Sequence, residues 1–239
     1  MTDISHIFAD LEAYAAPERV ADTQRFFKSH KGGYSEHDTF ICVRVPEIRL
    51  VAKKHAQASL DEIEALLENP IHEVRLLAVI IMNNQAIKAR RSNDEHHRAL
   101  FDLYLRRTDC VNNWDIVDSS CRDVVGEYLL KHPEQEDVVR TLAASQDIWE
   151  RRIAMVSMWA YIRANRLDLP YEIAEKLLAD KHDLLHKAVG WMLRTAGDKD
   201  ADRLREFLTT HIAVIPRTAL RYAIEHFEPE ERQYFLKLK

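Results

Sequence analysis

Glycine is scarce in this 239-residue chain, with five in all, and proline is modest at seven. A turn-rich β architecture uses more of both, so the shortage favours long helices over sheets. Cysteine is rarer still. Cys42, Cys110 and Cys121 are odd in number and never spaced as Cys-x-x-Cys, which argues against a disulfide framework and for buried, reduced thiols. No run approaches the ~18 apolar residues that a membrane span needs. The opening residues, Met1-Thr-Asp-Ile-Ser-His6, lack the basic and apolar regions of a secretory signal, which predicts a cytoplasmic protein with no membrane partner. A surplus of positive charge is also missing: 34 Lys and Arg stand against 39 Asp and Glu, a net charge of −5. That speaks against indiscriminate coating of nucleic acid. A local basic groove stays compatible with it, because binding follows the distribution of charge rather than its sum. No P-loop, Rossmann glycine pattern, Gly-x-Ser-x-Gly or four-cysteine cluster is present.

What the chain does contain is helical periodicity from end to end. Apolar residues make up 46% and charged residues 31% of the sequence, the balance of a globular protein. Apolar stripes, prolines in first turns and capping residues predict helices over 4–14, 17–27, 46–55, 60–68, 71–88, 94–106, 113–131, 134–145, 148–165, 170–179, 182–196, 199–211, 214–226 and 228–238. Ser59 and Glu62 form a capping box for the fourth of these. The run 40–45 is apolar and ambiguous between a strand and part of a helix. The loop 28–34, with Gly32, Gly33, Lys28 and Lys31, reads either as a surface connection or as a contact to phosphate. Helix pairs recur every ~35–40 residues with short loops and no strict consensus. That layout predicts an all-α chain, a right-handed HEAT-like α-solenoid of antiparallel pairs with a concave face. No linker divides it, so residues 1–239 are expected to form a single domain.

Three helices carry unusual residues. In the stretch 111–120, Asn113 is a good N-cap, and Trp114, Val117, Cys121, Val124, Val125 and Tyr128 form an apolar stripe. Asp115, Ser119, Asp123 and Glu127 fall opposite and read as the solvated face. Asp118 fits neither side; it sits one turn beyond Trp114 on the margin of the stripe, where a carboxylate needs a partner, a cation or a task. The helix 148–165 is apolar almost all round, yet Arg152 lies between Trp149, Val156 and Trp159. The helix 182–196 flanks Trp191 with Lys187 and Arg194. Each has an ordinary alternative: a core tryptophan, a surface aspartate, an arginine paired with an acid on a neighbouring helix. His182 and His186 imitate the spacing of a zinc-binding helix, but Asp183 stands where such a helix has glutamate and no third ligand is evident.

Asn113-Trp-Asp-Ile-Val-Asp118, Asp147-Ile-Trp-Glu-Arg-Arg152 and Lys187-Ala-Val-Gly-Trp-Met-Leu-Arg194 resemble the AlkD family of DNA glycosylases. The segment from Phe40 to Lys54 is similar to the N-terminal part of that family. Asn113 stands where the family often has a second tryptophan, and Phe26 where a tyrosine can occur. The resemblance implies a HEAT-like fold that holds duplex DNA and removes N3- or N7-alkylated purines, with Asp118 as the catalytic carboxylate. It also implies that Trp114 and Trp191 are paired aromatic residues at the lesion and that Arg152 lies near the phosphate backbone there. Duplex binding would draw further on Lys28, Lys31, Arg49, Lys53, Lys187, Arg194 and Arg217. The expectation is a monomer with no metal and no cofactor. Two other classes are carried beside it: a solenoid that binds damaged or branched DNA without cutting it, and a protein-binding scaffold in which both tryptophans are ordinary core.

Overall fold

A computed structural model describes residues 2–238. The fold is all-α: among the described residues there are fifteen α-helices, and the one β-type pairing is a parallel bridge between Thr39 and Ile71. No helix among them is long and apolar enough to cross a membrane. The chain divides into two compact units, Met1–Val124 and Val125–Lys239.

The first unit holds α1 (Ser5–Glu12), α2 (Val20–Phe27), α3 (Val45–Lys54), α4 (Leu60–Leu67), α5 (His72–Ser92), α6 (Asp94–Arg106) and the short α7 (Trp114–Asp118). The predicted starts follow from local chemistry. Ser59 Oγ accepts from the Glu62 amide while the Glu62 carboxylate accepts from the Ser59 amide, so both arms of the capping box are made. Asn93 caps α6 by accepting from the His96 amide, and α6 runs over the predicted residues. Helices α3, α4, α6 and α7 all pack on α5. Surrounded in this way, α5 buries residues on every side, Val74, Leu77 and Ile81 completely. Each such aliphatic side chain contributes about 1.5–3 kcal/mol through loss of contact with water.

The first turn of α5 also buries three polar residues, His72, Glu73 and Arg75. They hold the loop that precedes α3. The Glu73 carboxylate accepts from the amides of Ile41 and Cys42 at 3.1 and 2.7 Å. That grip turns the chain at Cys42 into the left-handed region, φ 63°. The apolar run 40–45 is therefore neither a strand nor a helix up to Arg44. It is a buried connection with Phe40, Cys42 and Val43 turned inward. All three cysteines are free and buried.

The second unit contains α8 (Glu127–Lys131), α9 (Asp137–Ala143), α10 (Ile148–Arg163), α11 (Asp168–Leu177), α12 (Asp183–Gly197), α13 (Ala201–His211), α14 (Arg217–Ala223) and α15 (Pro229–Leu238). Asp147 caps α10 through the amides of Trp149 and Glu150. As the unbroken apolar pattern predicts, α10 is enclosed, packed by α8, α9, α11 and α12. In the same unit α12 and α14 pack backbone against backbone. A Cβ on Gly190 would lie 2.5 Å from the carbonyl oxygen of Ala219 and 2.5 Å from Cβ of Tyr222.

One expected element is not continuous. The helix predicted over 113–131 stops at Asp118 and resumes at Cys121. It then passes through a wider turn, Arg122–Gly126, before α8. Ser120 supplies a cause of the break: its hydroxyl takes the carbonyl of Ile116 at 2.7 Å and meets the hydroxyl of Tyr104 at 2.9 Å. A serine bonded back to its own helix competes with the backbone ladder.

Candidate functional site

The five residues of α7 place an indole and a carboxylate four positions apart, on one side of a single turn. Ile116 and Val117 form its buried floor, while Trp114 and Asp118 are half-buried. Trp114 stands among rings of the same unit. Its centroid lies 5.7 Å from that of Phe27 in a stacked arrangement and 5.9 Å from that of Phe26, edge to face. Phe27 in turn packs against Phe40 at 5.3 Å and His72 at 4.7 Å. Phe26 is 64% exposed, so one end of this aromatic row faces solvent. The charge of Asp118 is felt at the fully buried Tyr104, whose phenol is held well above its usual range by burial, with Cys121 and Asp118 adding to it.

The N-terminal end of α7 is fixed by a polar network the sequence did not reveal. Asn113, fully buried, accepts from the Trp114 amide at 2.8 Å. Its side-chain amide donates to Asp38 at 2.9 Å and to the hydroxyl of Ser35. Asp115 does not face solvent as the helical projection predicts. Its side chain is 13% exposed, and its Oδ2 meets His72 Nε2 at 2.8 Å. His72 Nδ1 faces Asp38 at 3.3 Å, and Asp38 also receives Arg75. Burial works against a charged imidazole, but hydrogen bonds to Asp115 and Asp38 prevail and hold His72 at about 9. Burial likewise works to raise Asp38; the hydrogen bond from His72 and the charge of Arg75 prevail and take it down to about 2. Asp123, also expected in solvent, is buried and pairs with Arg90 at 3.0 Å and with Arg122. In both cases the projection missed neighbours that cover the supposed outer face.

Of the predicted cations in this unit, Lys31, Arg49 and Lys53 are exposed, and no carboxylate pairs with them among the described residues. Lys28 closes α2 in the left-handed region, φ 54°, with its ammonium 5.9 Å from the centre of the Tyr34 ring. The Gly-Gly turn that follows is tied internally: the Gly32 amide, at φ 79°, donates to Glu36 at 2.7 Å.

In the second unit Trp191 is half-buried and meets Trp159 edge to face, centroids 5.3 Å apart. Arg152 is buried, and its guanidinium donates to the carbonyl of Leu184 at 2.6 Å. Lys187 pairs with Asp183 at 2.7 Å, Arg194 pairs with Glu225, and Arg217 donates to the carbonyl of Leu236 at 2.8 Å. His182 caps α12 and His186 donates to the Asp180 carbonyl, so the two histidines serve separate structural bonds.

Serial helices packed around enclosed central ones, with an aromatic–acid turn on the first unit, define an all-α protein with a fold consistent with an α-solenoid. The chain belongs to the DNA alkylation repair enzyme family, whose family model matches residues 7–227. Among solved structures it is similar to a predicted DNA alkylation repair enzyme from Enterococcus faecalis, with a TM-score of 0.70 and 18% identity over 90% of this chain and 97% of that one. It is also similar to smu.31 from Streptococcus mutans UA159, with a TM-score of 0.52 and 15% identity over 93% of this chain and 96% of that one. At such identities the likeness is one of fold. A comparison with curated protein sequences gives no match.

Proposed function

We propose that this chain is an alkylpurine DNA glycosylase of the AlkD type, hydrolysing the N-glycosidic bond of cationic N3- or N7-alkylated purines in duplex DNA. The observation that carries it is the α7 turn, which presents Trp114 and Asp118 side by side above a buried floor in a chain of the alkylation repair family. The chemistry fits what these two groups supply. An alkylated purine already bears positive charge and leaves as a neutral base, so it needs no strong acid. When the C1′–N bond breaks, its electron pair goes to the base and positive charge builds on the deoxyribose. The Asp118 carboxylate stabilises that charge and receives the proton of the water whose oxygen bonds to C1′. The face of Trp114 attracts the cationic base, a contact worth about 0.5–2 kcal/mol. Trp191 on the second unit offers a second aromatic face. Arg152 and the exposed Lys31, Arg49 and Lys53 serve as phosphate contacts, with Lys28, Lys187, Arg194 and Arg217 completing the proposed set.

The test is release of free 7-methylguanine and 3-methyladenine from methylated duplex DNA by the purified protein and by Asp118→Asn. The wild-type protein should release base, and the variant should bind DNA but release none. Equal rates from the two proteins would remove Asp118 from the chemistry, and binding without release by the wild type would identify a non-catalytic damage binder.

A further inference from the structure

We propose that His72 is a positioning residue for the α7 turn, tying Asp115 to Asp38 so that Trp114 and Asp118 are held at a fixed height on the first unit. This rests on the glycosylase reading for its consequence, while its geometry is independent of it. A helix of five residues cannot hold itself: nucleation is unfavourable, and even twelve to fifteen residues are marginal in isolation. The position of α7 must therefore come from side chains at its ends. At the far end the Ser120 hydroxyl donates to the Ile116 carbonyl and is itself met by the Tyr104 hydroxyl. At the near end the anchors are Asn113 and Asp115. Asp115 uses both oxygens, Oδ1 for the amide of Ile116 at 2.9 Å and Oδ2 for His72.

His72 is 1% exposed, and each of its ring nitrogens faces a carboxylate oxygen. An ionised carboxylate can only accept, so both nitrogens must donate, and that requires the doubly protonated ring. The charged groups around it balance. Asp38 from the loop and Asp115 from α7 are negative; His72 and Arg75 from α5 are positive. The buried Glu73 lies next along α5, with its oxygens engaged by the Ile41 and Cys42 amides. From α2 only the Phe27 ring packs on the imidazole, and Phe40 covers it at 5.1 Å. Removing the imidazole proton would leave two facing carboxylates bridged by a ring with one donor too few. The cheapest release is for α7 to move away, carrying Trp114 and Asp118 with it. None of these network residues has to touch the substrate, so their effect should appear in turnover rather than in binding.

The experiment compares wild type, His72→Gln and the pair His72→Gln/Asp115→Asn on the full chain. It measures single-turnover base release and duplex affinity from pH 6 to 10. His72→Gln should lower the release rate at least tenfold at neutral pH with affinity held within about twofold. The double variant, which removes the uncompensated charge, should recover at least a third of the lost rate. Wild-type release should fall as the pH rises through about 9, and the double variant should lack that limb. Wild-type rates from His72→Gln, equal losses of rate and affinity, or the same limb in the double variant would overturn the proposal. If the wild type releases no base, the glycosylase reading fails on its own. The positioning claim is then decided by tryptophan emission, taken as wild type minus Trp114→Phe. A transition near pH 9 that disappears in the double variant supports it, and a flat titration refutes it.

Discussion

Gly190 and Ala219 bring α12 and α14 into backbone contact, close enough that a methyl group on Gly190 would sit 2.5 Å from the Ala219 carbonyl oxygen. That oxygen belongs to a helix backbone and cannot rotate away, so one helix must shift. Gly190→Ala should cost about 1–3 kcal/mol, the usual penalty of overpacking, and lower the thermal midpoint by several degrees. Differential scanning calorimetry checks this; an unchanged midpoint would mean that the helices slide apart freely. Because Trp191 is the next residue, the same variant should also reduce base release.

Trp114 contributes through its face. Trp114→Ala removes a cation–π contact and should slow release about two- to thirtyfold, the equivalent of roughly 0.5–2 kcal/mol. Trp114→Phe keeps a ring against Phe27 and should retain more activity. Rates and melting midpoints of both variants separate the lost contact from lost packing.

The Asp38–His72–Asp115 network sets a pH window for stability. His72 is raised from 6.5 to about 9, so its contribution is fully present below 6.5 and disappears as pH rises through about 9. At full strength that shift corresponds to roughly 3 kcal/mol. Asp38 is lowered from 3.8 to about 2, so its contribution is present above 3.8 and disappears as pH falls through about 2. Urea midpoints measured from pH 2 to 10 should therefore form a plateau that declines on both sides. Asp115→Asn should flatten the alkaline decline and spare most of the acid one.

Charge pairing separates the proposed phosphate contacts. Lys31, Arg49 and Lys53 are exposed without a carboxylate partner among the described residues, whereas Arg194 is balanced by Glu225. Each of the first three replaced by Gln should reduce the slope of log affinity against log salt by about 0.9 if it neutralises a phosphate. Arg194→Gln should change the slope less. Fluorescence anisotropy over a salt series measures both.

Local chemistry made much of the fold legible. The Ser59–Glu62 box and the apolar girdle of α10 each act within a few residues, and each predicted its helix. The Trp114–Asp118 spacing was legible for the same reason. What stayed hidden depends on distant partners. Asp115 reads as solvated because its partner His72 is 43 residues away. Asp123 likewise meets Arg90 across 33 residues. Tyr104, which meets the Ser120 hydroxyl at the break after Asp118, is likewise placed on another helix. Helical projection assigns faces on an unbroken helix and says nothing of which other elements later cover them.

The buried cysteines have a chemical consequence for a protein of this family. Alkylating agents attack thiolates, and a protonated thiol is a poor target. Burial and the charge of Asp109 push Cys110 up to about 11, and burial pushes Cys42 up as well. Both are protonated at neutral pH, and Cys121 is sealed in the core. The cysteines thus offer little thiolate to the reagents that create the proposed substrate, and they should stay unmethylated when the folded protein is exposed to a methylating agent.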